Sequence, residues 1–340
     1  MTKIFFLCQA SGDIIHILQE AHKIHITNNN VSIKVLCLYK ELIESWKFLS
    51  ISFIEIEYFP RYFIPISQPW KLFSWRKKVN SLFKKEGFNN TQENSRIYFT
   101  SIYDDPTTAY YVHKLYKLKY QIYYLNHYDD KQAIIPVNHI SIKDKIRLLL
   151  YRLFTNINFD LYYMSGRWNV LRFPKEKYHF PEISSEINHS ICQQYAYTIK
   201  NEKGKYILLF SQPNRDFSLV SDQEYNYIYQ QVSDRLKEKG YLIVQKGHPV
   251  IGLCESIKSQ ADIIIPATIP SELINLSSFD ACYGFMTIAL ASTAKLGSPS
   301  YSFLPLVKNH TTEAYKGAID FVNSSSENKV KYINKIEDIQ

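Results

Sequence analysis

The chain has 340 residues, more than one ordinary hydrophobic core takes, so two domains or one large α/β unit are expected. Its 46% hydrophobic and 21% charged content is that of a globular protein and excludes a fibrous or disordered chain. The net charge of +8 points toward anionic partners, but no recognised nucleic-acid-binding motif accompanies it, so nucleic acid is not expected among them.

In chain order, "KIFFLC" (3–8) is a compact apolar run, broken by "QASGD" (9–13) and followed by "IIHILQEAHKI" (14–24) at helical spacing. "SIKVLCL" (32–38), "SFIEIEYF" (52–59), "RIYFTS" (96–101) and "QIYYLN" (121–126) read as further strands, with a helix at "AYYVHKLYKL" (109–118). Two basic stretches, "WRKKVNSLFKK" (75–85) and "KDKIRLLLYRLF" (143–154), read either as solvated helix faces or as contacts with anionic lipid or a polyanionic substrate. The second alternates basic with apolar residues, as a helix lying on a membrane surface does.

Residues 137–203 are less regular, and a boundary is placed at 190–204, giving domains 1–195 and 196–340. A second series follows: the strand "YILLFSQP" (206–213), a helix at 221–240 with Ser221 as N-cap, Glu224 three residues on and Gly240 closing it, then "YLIVQKGHP" (241–249) as strand and loop. "ADIIIP" (261–266) is a strand, "PSELINLS" (270–277) a short helix, "DACYGF" (280–285) strand and turn, "MTIALASTAKLG" (286–297) a helix, and "PSYSF" (299–303) a last strand. Strands alternating with helices imply parallel βα units. Two such series predict an α/β protein of two Rossmann-like domains facing each other across a cleft, the GT-B architecture of nucleotide-sugar glycosyltransferases.

The five cysteines include no CxxC pair and are odd in number, a reduced, cytosolic pattern with neither a disulfide nor a zinc framework. No apolar run is long enough for a signal sequence or a membrane span. The expected location is the cytoplasm, with peripheral attachment to the inner face of the cell membrane as an extension of that reading.

Three features fall at strand ends of the second series, where α/β sheets bind ligands: "KGHP" (246–249), "IPSE" (269–272) and "YGFMTIAL" (283–290). His248 is either a phosphate donor and proton carrier oriented by Pro249, or an exposed loop histidine. Glu272 either answers a helix dipole or accepts from a ribose diol. Gly284 is read as a tight turn, and Thr287 either caps a helix or, with that helix N-terminus, holds a phosphate. In the first half, Asp129 and Asp130 of "NHYDD" are either turn residues or a general-base pair.

Taken together these pieces resemble the bacterial sialyltransferases, including the lipooligosaccharide, capsule and polysialic acid enzymes. That group has the GT-B fold, a short acidic motif in the N-terminal domain, and an HP motif followed by a serine/threonine motif in the C-terminal domain. His248-Pro249 matches the HP motif, "IPSE" and "YGFMT" resemble the stretch that holds the CMP ribose and phosphate, and "YDDK" (128–131) stands in the place of the acidic motif. Lys131 replaces the usual glycine there, and Thr287 is followed by Ile288 rather than a second hydroxyl.

The resemblance implies inverting transfer of sialic acid from CMP-sialic acid to a cell-surface glycan acceptor, lipid-linked in one version. Asp129 would be the base, with Asp130 beside it, and His248 would stand at the CMP phosphate. Gln212, Lys246, Gly247, Pro249, Pro270, Ser271, Glu272, Gly284 and Thr287 would line the nucleotide, and Gln9 and Ser11 the acceptor loop. No cofactor and no metal are expected. The alternatives are another donor (CMP-Kdo, a different nucleotide sugar or CDP-glycerol) and an inactive glycan-binding homologue.

Overall fold

The computed structural model describes residues 2–28, 30–88, 95–99, 106–125, 135–136, 141–158, 160–164, 167–171, 191, 193–199, 204–211, 220–248, 252–253, 255–308 and 310–339. The chain forms two compact units, Met1–Ile191 and Cys192–Gln340.

The first unit is built on β1 (Thr2–Cys8), β2 (Val31–Cys37), β3 (Ile54–Tyr58), β4 (Arg96–Phe99) and β5 (Gln121–Tyr124), all parallel in the order β3-β2-β1-β4-β5. Helices α1 (Asp13–Thr27), α2 (Lys40–Leu49), α3 (Leu72–Lys85) and α4 (Pro106–Lys117) alternate with these strands. Side chains alternate between the faces of β1, yet every residue from Ile4 to Cys8 is buried, the pattern of a central parallel strand covered on both sides. Phe5 and Leu7 join a core with Trp75 and Val79 of α3 and Tyr111 of α4. On the other face Phe6 stacks on Tyr98 and Tyr98 on Tyr123, with ring centroids 4.6 and 4.7 Å apart. Cys8 and Cys37 stand opposite one another in register, both buried and free.

The irregular stretch holds a small sheet that the sequence reading missed, and a helix over the basic run read at 143–154. β6 (Ile135–Pro136), β7 (Asp160–Met164) and β8 (Arg167–Leu171) form a small antiparallel sheet. Helix α5 (Ile142–Thr155) starts at Ser141, whose hydroxyl accepts from the Asp144 N–H at 3.1 Å, and stops at Asn156 in the left-handed region.

The second unit carries β9 (Lys205–Phe210), α6 (Asp222–Glu238), β10 (Tyr241–Lys246), α7 (Glu255–Lys258), β11 (Ile263–Ile265), β12 (Ala281–Gly284), α8 (Ile288–Lys295), β13 (Ser300–Ser302), α9 (Thr312–Ser326) and β14 (Lys331–Tyr332). Its parallel sheet runs β11-β10-β9-β12-β13-β14. As expected, the Ser221 hydroxyl accepts from Glu224 N–H at 3.2 Å and Gly240 takes a φ of +82° after α6. The Glu224 carboxylate does not close a capping box; it accepts from Lys308 N–H at 2.7 Å and so ties α6 to a distant loop. The stretch read as a short helix at 270–277 is two single turns of 3₁₀ helix, Ser271–Leu273 and Leu276–Ser278.

Both sheets therefore share the Rossmann-like order, counted from each first strand as 3-2-1-4-5, and the α/β reading with two such units holds. No helix among the described residues is long and apolar enough to cross a membrane.

Candidate functional site

In the second sheet the chain moves outward from β9 through β10 to β11, then returns to β12 on the other side of β9. Ligands of open α/β sheets bind beyond the carboxyl ends of the strands at such a reversal. Buried hydroxyls pin two of the strand ends: Tyr229 donates to the Phe210 carbonyl after β9, and Ser302 to the Phe285 carbonyl after β12.

Lys246 ends β10 and is only 4% exposed. Its ammonium donates to the carbonyls of Gly247 at 3.0 Å and Ala267 at 2.6 Å, so it ties the end of β10 to the segment after β11. Burial lowers its pKa to about 8, and the nearby carboxylate of Glu272 pulls the other way. Lys246 was expected to line a nucleotide; in the structure two of its three donors hold backbone.

Beyond Lys246 the chain folds back on itself. His248 donates to the Gly252 carbonyl at 3.2 Å, and Gly252 donates to the His248 carbonyl at 2.8 Å. A Cβ on Gly247 would stand 2.8 Å from the Gly252 carbonyl carbon, so glycine is required there by close approach. Gly252 is needed for a second reason, its φ of +76°. His248 is half-buried at the strand end.

The single turn Ser271–Leu273 begins after a buried Pro270 and packs against α8. Its Leu273 and Ile274 are buried anchors, while Ser271 and Glu272 are half-buried, and the Ser271 hydroxyl donates to the Glu272 carboxylate at 3.1 Å. The turn therefore stands between Lys246 and the helix that Thr287 begins. Thr287 is the N-cap of α8, its hydroxyl accepting from Ala289 N–H at 3.2 Å. Gly284 differs from its sequence reading: it is the last residue of β12, with the turn after it, and a Cβ there would make ordinary 3.4 Å contacts with Phe210 and Thr287.

In the first unit, Gln9 and Ala10 donate their N–H groups to the buried Asp13 carboxylate at 2.7 and 2.8 Å, and the Thr108 hydroxyl donates to the Gln9 amide oxygen at 3.1 Å. Asp13 thus shapes the loop that holds Gln9 and the half-buried Ser11. Sequence reasoning passed over it, although an acidic residue at a helix start is a readable signal. It also passed over Gln245, fully buried with no hydrogen-bond partner for either amide atom. Asp129, Asp130, Gln212 and Pro249 lie outside the described residues. Among the described residues no group of three or more His, Cys, Asp or Glu side chains is placed to hold a metal ion.

The strand edge combines an ammonium, an imidazole, a helix N-terminus and a carboxylate within two linked turns. Cationic and N–H donors suit a phosphate, and a carboxylate beside them suits the diol of a ribose.

No protein-family model matches the chain, and no curated protein matches it. Among solved structures, the chain is similar to Escherichia coli heptosyltransferase WaaC with ADP-2-deoxy-2-fluoro heptose, at 9% identity over 100% of this chain and 96% of that one, with a TM-score of 0.44. It is also similar to E. coli ADP-heptose lipopolysaccharide heptosyltransferase II (12% identity, 100% and 95% covered, TM-score 0.40). A third likeness is to the UDP-GlcNAc 2-epimerase of Neisseria meningitidis bound to UDP-GlcNAc (11% identity, 96% and 94% covered, TM-score 0.41).

Proposed function

We propose that the chain is a glycosyltransferase of the GT-B kind that takes a nucleotide-activated sugar, with the nucleotide held at the carboxyl edge of the second sheet. The observation that carries this reading is the linkage of Lys246, Glu272 and α8 through the turn Ser271–Leu273, beside the tight loop that presents His248. The donor proposed is CMP-sialic acid, on the resemblance of the HP, "IPSE" and "YGFMT" stretches to the sialyltransferases.

In this reading Glu272 accepts from the ribose hydroxyls, and the N-terminus of α8 with Thr287 faces the phosphate. His248 donates to the phosphate oxygen from which the sugar departs. The acceptor hydroxyl attacks the anomeric carbon from the opposite side, its proton passes to Asp129, and the bond from that carbon to the phosphate oxygen breaks to release CMP. Charge developing on the leaving phosphate is what His248 and α8 stabilise.

The test is a thermal-shift screen against CMP, UDP, ADP and GDP, followed by transfer assays with the matching sugar nucleotides. A ligand at 100 times its Kd stabilises the folded state by about 2.7 kcal/mol. The expected result is stabilisation by CMP that His248→Ala abolishes. Stabilisation by ADP or UDP alone moves the donor toward those the heptosyltransferase and epimerase structures carry and removes the sialyltransferase reading. No response to any of the four overturns the nucleotide site itself.

A further inference from the structure

Helix α5 buries Tyr151, Phe154 and Thr155 on its inner side. On its outer side Ile142, Ile146, Leu149 and Leu153 are 54–78% exposed. Each residue advances about 100° around the axis, so these four fall within about 60° of arc and form one continuous stripe opposite the packed face. Lys145 and Arg152 lie along one flank and Lys143 along the other, while the helix's single acidic residue, Asp144, is engaged by Ser141.

The stripe does not end with the helix. Arg76 of α3 donates to the Leu153 carbonyl at 2.8 Å and to the Phe154 carbonyl at 3.3 Å, a cation seated on the C-terminal carbonyls of α5. Just upstream of Arg76, Trp70 and Phe73 are 75% and 80% exposed. A groove of about 690 Å³ lies beside this joint, with Arg76, Arg152 and Leu149 among its lining residues.

We infer that this face of the first unit docks on an anionic lipid bilayer, with the α5 stripe, Trp70 and Phe73 at the boundary of headgroups and acyl chains. An amphipathic helix lies in that plane with apolar side chains down and Lys and Arg reaching up to the headgroups. Charge complementarity selects this occupant over a second copy of the chain. Two copies meeting here would oppose Lys143, Lys145 and Arg152 to one another, with Asp144 as the one carboxylate of each helix. The inference stands independently of the nucleotide site.

The experiment is flotation of the full chain with phosphatidylcholine vesicles, with and without phosphatidylglycerol, at low and high salt. Binding is expected only with phosphatidylglycerol and is expected to weaken with salt. Ile146→Asp combined with Leu149→Asp is expected to abolish it. Lys143→Gln, Lys145→Gln and Arg152→Gln are each expected to lower partitioning about fivefold. A readout on the folded chain accompanies these: in a Trp168→Phe background tryptophan emission should shift to the blue on anionic vesicles, and adding Trp70→Phe should remove the shift, since Trp46 and Trp75 are already buried. Failure of the wild-type chain to float, equal binding to neutral vesicles, or a solution dimer broken by the aspartate substitutions without any vesicle binding would each overturn the inference.

Discussion

The two units share a strand order and differ in what stands at the end of the second strand. In the first, β2 runs into Cys37 and Leu38, both buried, and the ladder continues when Phe59 N–H donates to the Cys37 carbonyl. In the second, β10 runs into a buried ammonium, a glycine that admits no side chain and a half-buried imidazole. One topology thus offers the same position twice, and the second unit fills it with a cation and an imidazole where the first has buried apolar side chains. The first unit instead directs cations and exposed apolar side chains outward from α3 and α5.

The contrast is sharpest in the charges each unit buries. Lys246 has a folded pKa of about 8 against an ordinary 10.5. Below pH 8 both folded and unfolded chains hold the proton, and the cost of burying it is complete. Between pH 8 and 10.5 the unfolded chain keeps the proton that the folded one releases, so stability rises. A shift of that size corresponds to about 3 kcal/mol. Urea unfolding of wild type and Lys246→Met across this window is expected to show the rise in wild type and not in the variant. Equal slopes would break the comparison. In the first unit burial raises the pKa of Glu20, so its contribution has the opposite sign: stability is lost as pH climbs through that raised value.

Two glycines make the next test. Gly247→Ala drives a Cβ to 2.8 Å from backbone and is expected to cost about 2 kcal/mol. Gly284→Ala meets only ordinary contacts and is expected to change stability by less than about 0.5 kcal/mol. Denaturant midpoints decide between them, and a reversal would show that the Gly252 backbone does not crowd Gly247. A smaller effect, in the other direction, is expected at Gln245. Replacing its buried amide with Leu removes two polar atoms that have no partner, and should stabilise the second unit by about 1 kcal/mol.

Much of the fold was legible because short apolar runs bounded by turn residues announce buried parallel strands, and five were read correctly in each unit. The sheet β6-β7-β8 was not, because β7 and β8 follow one another with no helix between them, outside the strand–helix alternation that announced the others. Helix α5 was read at 143–154 as a basic and apolar helix, but which of its sides packs inward was not. Apolar residues stand on both its packed and its exposed sides, so no single stripe marks the core-facing one. At the candidate site, His248, Glu272 and Thr287 were visible as residue types at strand ends. The inward turn of Lys246 toward the Ala267 carbonyl was not, since it depends on where the segment after β11 passes. Nor was the strand setting of Gly284, since a glycine before a helix reads as a turn.

The most direct test of the central claim, that the second strand edge holds a nucleotide, is amide hydrogen exchange with and without saturating CMP, or whichever nucleotide stabilises the chain in the screen. The account predicts protection concentrated at 246–248, 270–273 and 284–289, with little change along β2 and its end at Cys37–Leu38. Protection confined to the first unit, or spread evenly over both, would contradict it.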